Sequence, residues 1–168
     1  MKIKLAFLAF TAVYIYSCSK DTSTETDQAI FNQAKSASGF VWYKNSDVKL
    51  AKSTNSGHSP AFMRTRYNAI AAKQLDANGK VKPDALFENG SLIVKEFYSS
   101  ASSTEIDFYA IMYHNDQDPL LPEHGWLWAY YNTDGSARYS VTNKGGNCHS
   151  CHSQQGIVDH TLMNKYFP

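Results

Sequence analysis

Tyr, Phe, Trp and Val recur with a period of two, rather than at the helical spacing of 3.6, along much of the chain after residue 90. The pattern covers Leu92–Tyr98, residues 106–114, Trp126–Tyr131 and residues 137–141, and aromatic and β-branched residues dominate it. Successive side chains of a strand point to opposite faces of a sheet, so each segment is predicted to be a strand. The sequence Asn-Thr-Asp-Gly at residues 132–135 predicts a turn between the last two. Strands at this spacing favour an antiparallel sheet.

A helical pattern precedes the strands. Residues 26–38 place three apolar side chains on one side, with Thr26 or Asp27 as a possible N-cap and Gly39 as the end. The aromatic run at residues 40–43 suits a short strand or a lid over a cofactor edge. This segment is therefore predicted to add one helix to the sheet.

The next stretch predicts a loop, a strand and a short helix in that order. Residues 52–60 are rich in Ser, Asn and Gly, which is typical of a loop. Residues 61–67 alternate as a strand does, and Asn68 can cap a short helix that extends to residue 75. The predicted fold class is α+β: an antiparallel β-sheet core with a few short helices and a C-terminal loop that attaches a cofactor.

The first 17 residues have the pattern of a secretory signal peptide. Lys2 and Lys4 precede an apolar run at residues 5–15, which is too short to span a bilayer as a helix. The run ends in Ile-Tyr-Ser-Cys, which resembles the lipobox of bacterial lipoproteins. Cleavage before Cys18 would leave a thiol to carry a lipid. The alternative is an ordinary signal peptide with Cys18 as an unmodified thiol.

Export and anchoring change the charge that the mature chain presents. Residues 18–27 are almost entirely polar and are predicted to be a flexible tether, and residues 28–168 form the folded domain. Removal of residues 1–17 leaves 151 residues, enough for one domain, with a formal charge of −1. This balance argues against nucleic acid as a partner. We expect a membrane-anchored lipoprotein on the periplasmic side or in the outer membrane.

The sequence Cys148-His-Ser-Cys151-His152 has the spacing that attaches a c-type haem. Two thiols three positions apart can form thioethers with the two vinyl groups of one porphyrin, and His152 can then ligate the iron. Glycines at residues 145–146 give the backbone freedom to approach the cofactor closely. The motif predicts one covalent haem c, with His152 as the metal ligand.

The same cysteines leave two other chemistries open. A zinc site would need four ligands, and only His149, His152 and His160 are near enough in sequence to complete one. A disulfide between Cys148 and Cys151 would close a small strained ring and leave Cys18 unpaired. With Cys18 lipidated and the pair bound to haem, all three cysteines have a role.

Beyond the haem motif, several short strings resemble the cytochrome P-460 family, which includes the cytochromes c′-beta. The resemblance runs from about residue 61 to residue 167, and its carriers are residues 86–96, 125–128, 134–135, 148–152, 158–160 and 166–167. The family implies a small antiparallel sheet with helices, often a dimer, one haem c and an iron that is open to a small ligand.

Lys95 is the first residue that the resemblance singles out. It shares a strand face with Ile93 and Phe97, so a lysine here could simply extend to solvent or protect a sheet edge. In the family, the lysine of this string is joined covalently to the porphyrin rim. The resemblance therefore implies a haem cross-link at Lys95.

Ala110 is a departure from the enzymes of the family, which place a carboxylate over the iron. An ungapped count back from Trp126 puts Ala110 at that position, and an apolar wall there favours binding of diatomic gases over oxidation of hydroxylamine. A shift of register would instead bring Asp107 or Glu105 to the site. Whether the protein is an enzyme therefore stays open.

The other polar side chains are interpreted more simply. His58, His114 and His124 lie in or beside loops and are expected to be solvated. Arg64 and Arg66 could pair with haem propionates or remain solvated.

Together the patterns predict an exported monohaem c cytochrome that binds small nitrogen species at an open iron. The ligand is predicted to be nitric oxide, with hydroxylamine oxidation as a possible activity. An electron carrier or gas sensor without turnover is the alternative, and a zinc-binding structural lipoprotein is a third. A redox partner protein and a homodimer are further expectations.

Overall fold

The computed structural model describes residues 23–36, 38–117 and 124–168, and within them the period-two segments form one sheet. The strands are Val41–Trp42 (β1), Leu50–Ala51 (β2), Phe62–Tyr67 (β3), Leu92–Tyr98 (β4), Phe108–His114 (β5), Trp126–Tyr131 (β6) and Ala137–Tyr139 (β7). The helices are Glu25–Lys35 (α1), Ala69–Ala72 (α2), Gly146–His152 (α3) and Met163–Tyr166 (α4). Short 3-10 turns cover Tyr43–Asn45 and Val141–Asn143.

Every pairing in the sheet is antiparallel. The strand order is β1-β3-β4-β5-β6-β7, and β2 pairs with β3 beside β1. In the central ladders Lys95 lies opposite Ala110, which in turn lies opposite Tyr130. An antiparallel sheet with a few short helices confirms the predicted α+β class.

One face of the sheet is covered by α1. Ile30, Phe31 and Ala34 of this helix pack on apolar side chains of β4, β5 and β6. The helix begins at Glu25 rather than at residue 26, and Thr24 caps it instead of Thr26 or Asp27. The predicted cap was therefore wrong, because Asp27 is the third residue of the helix and its carboxylate accepts from the amide and hydroxyl of Thr24 in a capping box.

The first described residues belong to the folded body. The Ser23 hydroxyl donates to the carbonyl of Gly135 at 3.4 Å and accepts from the amide of Ala137 at 2.9 Å. Residues 23–27, which were predicted to be part of the tether, thus form the start of α1 and its cap. The predicted signal peptide and Cys18 lie outside the described residues. Within the described ranges, no helix has the length and apolar character needed to cross a membrane.

The opposite face of the sheet is covered by α2, α4 and the segments around α3. Its core includes Tyr67, Phe87, Trp126 and Trp128, which are almost completely buried. Between this face and α3 the packing leaves an internal space. That space contains most of the residues to which the sequence assigned chemistry.

Candidate functional site

A cavity of about 450 Å³ lies between the sheet and the C-terminal segments. The sheet supplies one wall because alternate side chains of its central strands point the same way. Helix α3 and the chain that follows it supply another wall, and the loop at residues 56–58 closes a further side. The lining includes Thr65, Tyr67, Ile93, Lys95, Ala110, Met112, Trp128, Tyr130, Cys148, Cys151 and His152.

The glycine just before helix α3 lets the helix approach the sheet closely, and another residue would not fit easily at its position. Gly145 has φ +77°, and a Cβ added there would lie 2.5 Å from a ring carbon of Trp128. Both the left-handed backbone and the close approach therefore require glycine. The contact sets the position of the helix that presents the two cysteines.

The two thiols and the histidine of the motif all border the cavity. Residues three and four apart lie on one side of a helix, so Cys148, Cys151 and His152 face the same space. Both thiols are free, Cys148 is half-buried and Cys151 is exposed. Burial raises the pKa of Cys148. The sequence motif is thus arranged as two accessible thiols beside one buried imidazole.

The tautomer of His152 is set by a hydrogen bond to the backbone carbonyl of His160. Its Nδ1 lies 2.6 Å from the carbonyl oxygen of His160, which can only accept a hydrogen bond, so Nδ1 carries the proton. The Nε2 lone pair is then available to a metal. Burial lowers the pKa of His152 to about 4, which keeps the ring neutral at pH 7. The imidazole therefore has the tautomer and charge of a metal ligand.

A strained turn positions the carbonyl that orients His152. Asp159 and His160 both have left-handed backbone angles, with φ values of 41° and 61°. The Asp159 carboxylate accepts from the amide of Phe87 at 2.7 Å and from the indole Nε1 of Trp126 at 3.3 Å. Sequence analysis missed this role of Asp159, because only the fold brings it beside Phe87 and Trp126.

Lys95 extends from β4 towards the cavity. Among the described residues its amine has no hydrogen-bond or ion-pair partner, and burial lowers its pKa to about 8. About a tenth of the amine is therefore neutral at pH 7. The geometry gives Lys95 direct access to any group that fills the cavity.

Ala110 lies directly across the ladder from Lys95 and also lines the cavity. Glu105 and Asp107 are exposed residues that precede β5, and neither borders the cavity. Within the described part of the chain, the lining contains no aspartate or glutamate. The structure thus places Ala110, rather than either acid, on the sheet wall.

His58 does not match its prediction as a solvated loop residue. Its ring lies 4.8 Å from that of Phe97, and its Nδ1 is 3.1 Å from the hydroxyl oxygen of Tyr130. Burial, together with the nearby charge of Lys95, lowers the pKa of His58 to about 2. The polar composition of the loop concealed this packing, because it does not indicate which side chain turns towards the cavity.

Arg64 and Arg66 lie on the opposite face of the sheet, away from the cavity. Their Nε atoms donate to Glu96 at 2.6 and 2.9 Å, and the Arg66 guanidinium also donates to the carbonyls of Ala34 and Ser36. The suggestion that they pair with haem propionates was therefore wrong. Arg64 and Arg66 are two residues apart in β3, so both side chains point to the face of the sheet that α1 covers.

The geometry fits a porphyrin in several independent ways. The cavity is large and mostly apolar, and two thiols and a metal-competent imidazole line one side. Tyr67 and Trp128 also line it, and the Tyr67 hydroxyl and the Trp128 Nε1 are buried without a hydrogen-bond partner among the described residues. Such groups are available to the polar parts of a bound molecule.

Comparison with known proteins gives one match. The family model described as Cytochrome P460 matches residues 41–162, which is more than half of the chain and includes the whole cavity-facing sheet and the Cys-x-x-Cys-His motif. No curated protein and no solved structure matches the chain.

Proposed function

Because the chain belongs to the cytochrome P460 family and is therefore a haem-binding cytochrome, we propose that it carries one haem c and binds nitric oxide at an open iron. The supporting observation is the composition of the cavity. Cys148, Cys151 and His152 line one side, and the sheet wall around Ala110 contains no carboxylate. We also propose that the chain is exported and lipid-anchored through Cys18.

Some residues of the site would attach the haem, and others orient its iron ligand. Cys148 and Cys151 would hold the porphyrin through thioethers, and His152 would ligate iron through Nε2. The carbonyl of His160 fixes the ring of His152 by accepting from Nδ1. When bound, haem would supply an iron atom for coordination of a small ligand and for electron transfer.

Among the described residues, no carboxylate lines the cavity to accept a proton. Hydroxylamine oxidation releases protons, and general-base catalysis typically contributes about 10² to 10⁴-fold to such steps. His58 is a weak base because its pKa lies near 2, and Ala110 stands where a carboxylate would serve. These features favour binding of nitric oxide over rapid turnover of hydroxylamine.

We therefore expect the haem-loaded protein to bind nitric oxide, with a shift of its Soret band, and to oxidise hydroxylamine only slowly. Ala110→Glu should raise hydroxylamine turnover by about 10²-fold, because it adds a base to the wall. Ala110→Gln is the matched control, since it adds similar volume without a carboxylate, and its turnover should stay near wild type. Rapid turnover by the wild type would contradict the proposal. Nitric oxide binding with no turnover even in Ala110→Glu would favour the gas sensor.

We further propose that Lys95 is linked to the porphyrin rim. Its unpaired amine, pKa near 8 and position on the cavity wall support this. Formation of the N–C bond would replace one N–H bond of Lys95 and one C–H bond of the rim, and an oxidant of the peroxide class would accept the two electrons and two protons that are released.

The link should appear as a third covalent attachment in peptide mass spectra and as a red-shifted Soret band. Lys95→Ala should remove both and leave the thioethers intact. Lys82→Ala, which changes a lysine that does not border the cavity, should change neither. Identical spectra and masses for Lys95→Ala and wild type would show that the amine is unlinked.

A further inference from the structure

Three histidines from separate segments converge beside the haem-binding motif. His124 lies just before β6, His149 lies between the two motif cysteines, and His160 lies in the left-handed turn. Each offers one ring nitrogen, and these nitrogens all lie within 4.8 Å of one another. The ring of His124 stacks on that of His149 with centroids 4.4 Å apart and lies 4.5 Å from that of His160.

The hydrogen bonds leave ligand atoms available at the cluster. The Nδ1 of His160 lies 2.8 Å from the carbonyl oxygen of His152 and donates to it, so the Nε2 of His160 keeps its lone pair. The Nδ1 of His124 is buried and has no hydrogen-bond partner among the described residues. A buried polar atom without a partner is unusual in a folded protein and calls for a specific explanation.

The buried and aromatic surroundings of His124 favour its uncharged ring. Burial and the neighbouring His160 and His149 lower the pKa of His124 to about 4, while the carboxylate of Asp159 acts in the opposite direction. The ring is therefore neutral at pH 7, which is the form that binds metals. Trp128 packs against the cluster, with its ring centroid 4.7 Å from that of His124.

We propose that His124, His149 and His160 form a second metal site, separate from the haem, for a divalent ion such as Zn²⁺ or Cu²⁺. Imidazole ligands suit both ions, and three histidines plus one water complete a four-coordinate shell. With metal–nitrogen bonds of about 2.1 Å, tetrahedral nitrogens lie about 3.4 Å apart, so nitrogens that are up to 4.8 Å apart must approach one another by up to about 1.4 Å. His149 is exposed and can make this movement.

The proposed site is connected to His152 through hydrogen bonds, but His152 is not one of its ligands. His152 donates from Nδ1 to the carbonyl of His160, and His160 donates from Nδ1 to the carbonyl of His152. Metal on the Nε2 of His160 would leave both hydrogen bonds in place. Haem and the second ion can therefore be bound together.

The test is a calorimetric Zn²⁺ titration of the haem-loaded, untagged protein at pH 7. Attachment of haem consumes both thiols, so Cys148 and Cys151 do not compete for the ion. We expect one Zn²⁺ per chain, with affinity reduced at least about tenfold in both His124→Ala and His149→Ala. His114→Ala removes a histidine outside the cluster and should bind Zn²⁺ as wild type does.

Cu²⁺ provides a second measurement that does not depend on affinity. Its electron paramagnetic resonance spectrum should show nitrogen hyperfine structure from imidazoles in the wild type and lose part of it in His149→Ala. His149 is on the surface, and an unchanged haem spectrum would show that the variant is folded. Absence of stoichiometric Zn²⁺ binding, or wild-type affinity in His124→Ala and His149→Ala, would overturn the proposal.

Discussion

Replacement of both Cys148 and Cys151 by alanine is expected to abolish covalent haem retention. Both thiols border the cavity from one side of α3, and the chain offers no other cysteine among the described residues. A link at Lys95 should not rescue the double variant, because the lysine can react only with a porphyrin that is already seated. Extraction with acidified organic solvent should remove all haem from the variant and none from wild type.

Two matched variants separate attachment from folding. Ser150→Ala changes an exposed side chain between the cysteines, and it should retain haem as wild type does. His152→Ala keeps both thiols but loses the iron ligand, so haem should remain covalent while its spin state changes. If the double cysteine variant kept haem that acidified organic solvent cannot extract, the assigned attachment would be refuted.

Asp27→Asn is expected to lower the free energy of unfolding by about 3 kcal/mol or more at pH 7. The carboxylate is completely buried and accepts hydrogen bonds from Thr24, Tyr131, Ser140 and the amide of Val141. It thus ties the start of α1 to β6 and to the turn after β7. An asparagine keeps the shape but turns one acceptor into a donor that faces other donors.

The pH dependence of this effect has a definite sign. Burial alone would raise the pKa of Asp27, but its hydrogen bonds from Thr24, Ser140, Val141 and Tyr131 together hold the pKa below its ordinary value of 3.8. The stabilisation is therefore complete above the unfolded pKa of about 3.9 and is lost as the pH falls through the lower folded pKa.

Urea unfolding followed by tryptophan fluorescence measures both effects. The difference between wild type and Asp27→Asn should be constant from pH 7 to pH 5 and should shrink as the pH falls below about 4. Asp107→Asn changes an exposed aspartate and should shift the free energy of unfolding by less than about 0.5 kcal/mol. A difference of less than about 1 kcal/mol for Asp27→Asn at pH 7 would contradict the assigned role.

Local patterns were sufficient to predict the sheet. The bounds of β4 and β6 agree with the sequence because each strand is a short run of mainly apolar and aromatic residues that begins shortly after a glycine. Lys95 and Ala110 are direct partners in the ladder, and this pairing was not predicted, because it depends on the register between β4 and β5. The spacing of Cys148 and Cys151 needs only a helical turn to bring both thiols to the cavity.

Features that depend on distant contacts were not predictable in this way. Asp27 looked like a cap or part of a tether, because its partners Tyr131, Ser140 and Val141 lie more than 100 residues further along the chain. His58 looked solvated, since a polar loop gives no sign of which side chain turns inward. The convergence of His124, His149 and His160 likewise requires the fold, because no spacing rule joins them.

The most direct test of the haem assignment is the spectrum of wild-type protein denatured in alkaline pyridine. The arrangement of Cys148, Cys151 and His152 predicts one haem per chain, with the haemochrome bands of a porphyrin attached by two thioethers. The spectrum of Lys95→Ala should show the same bands without any contribution from a link at the rim. Absence of a Soret band, or haem that leaves the denatured chain, would contradict the assignment.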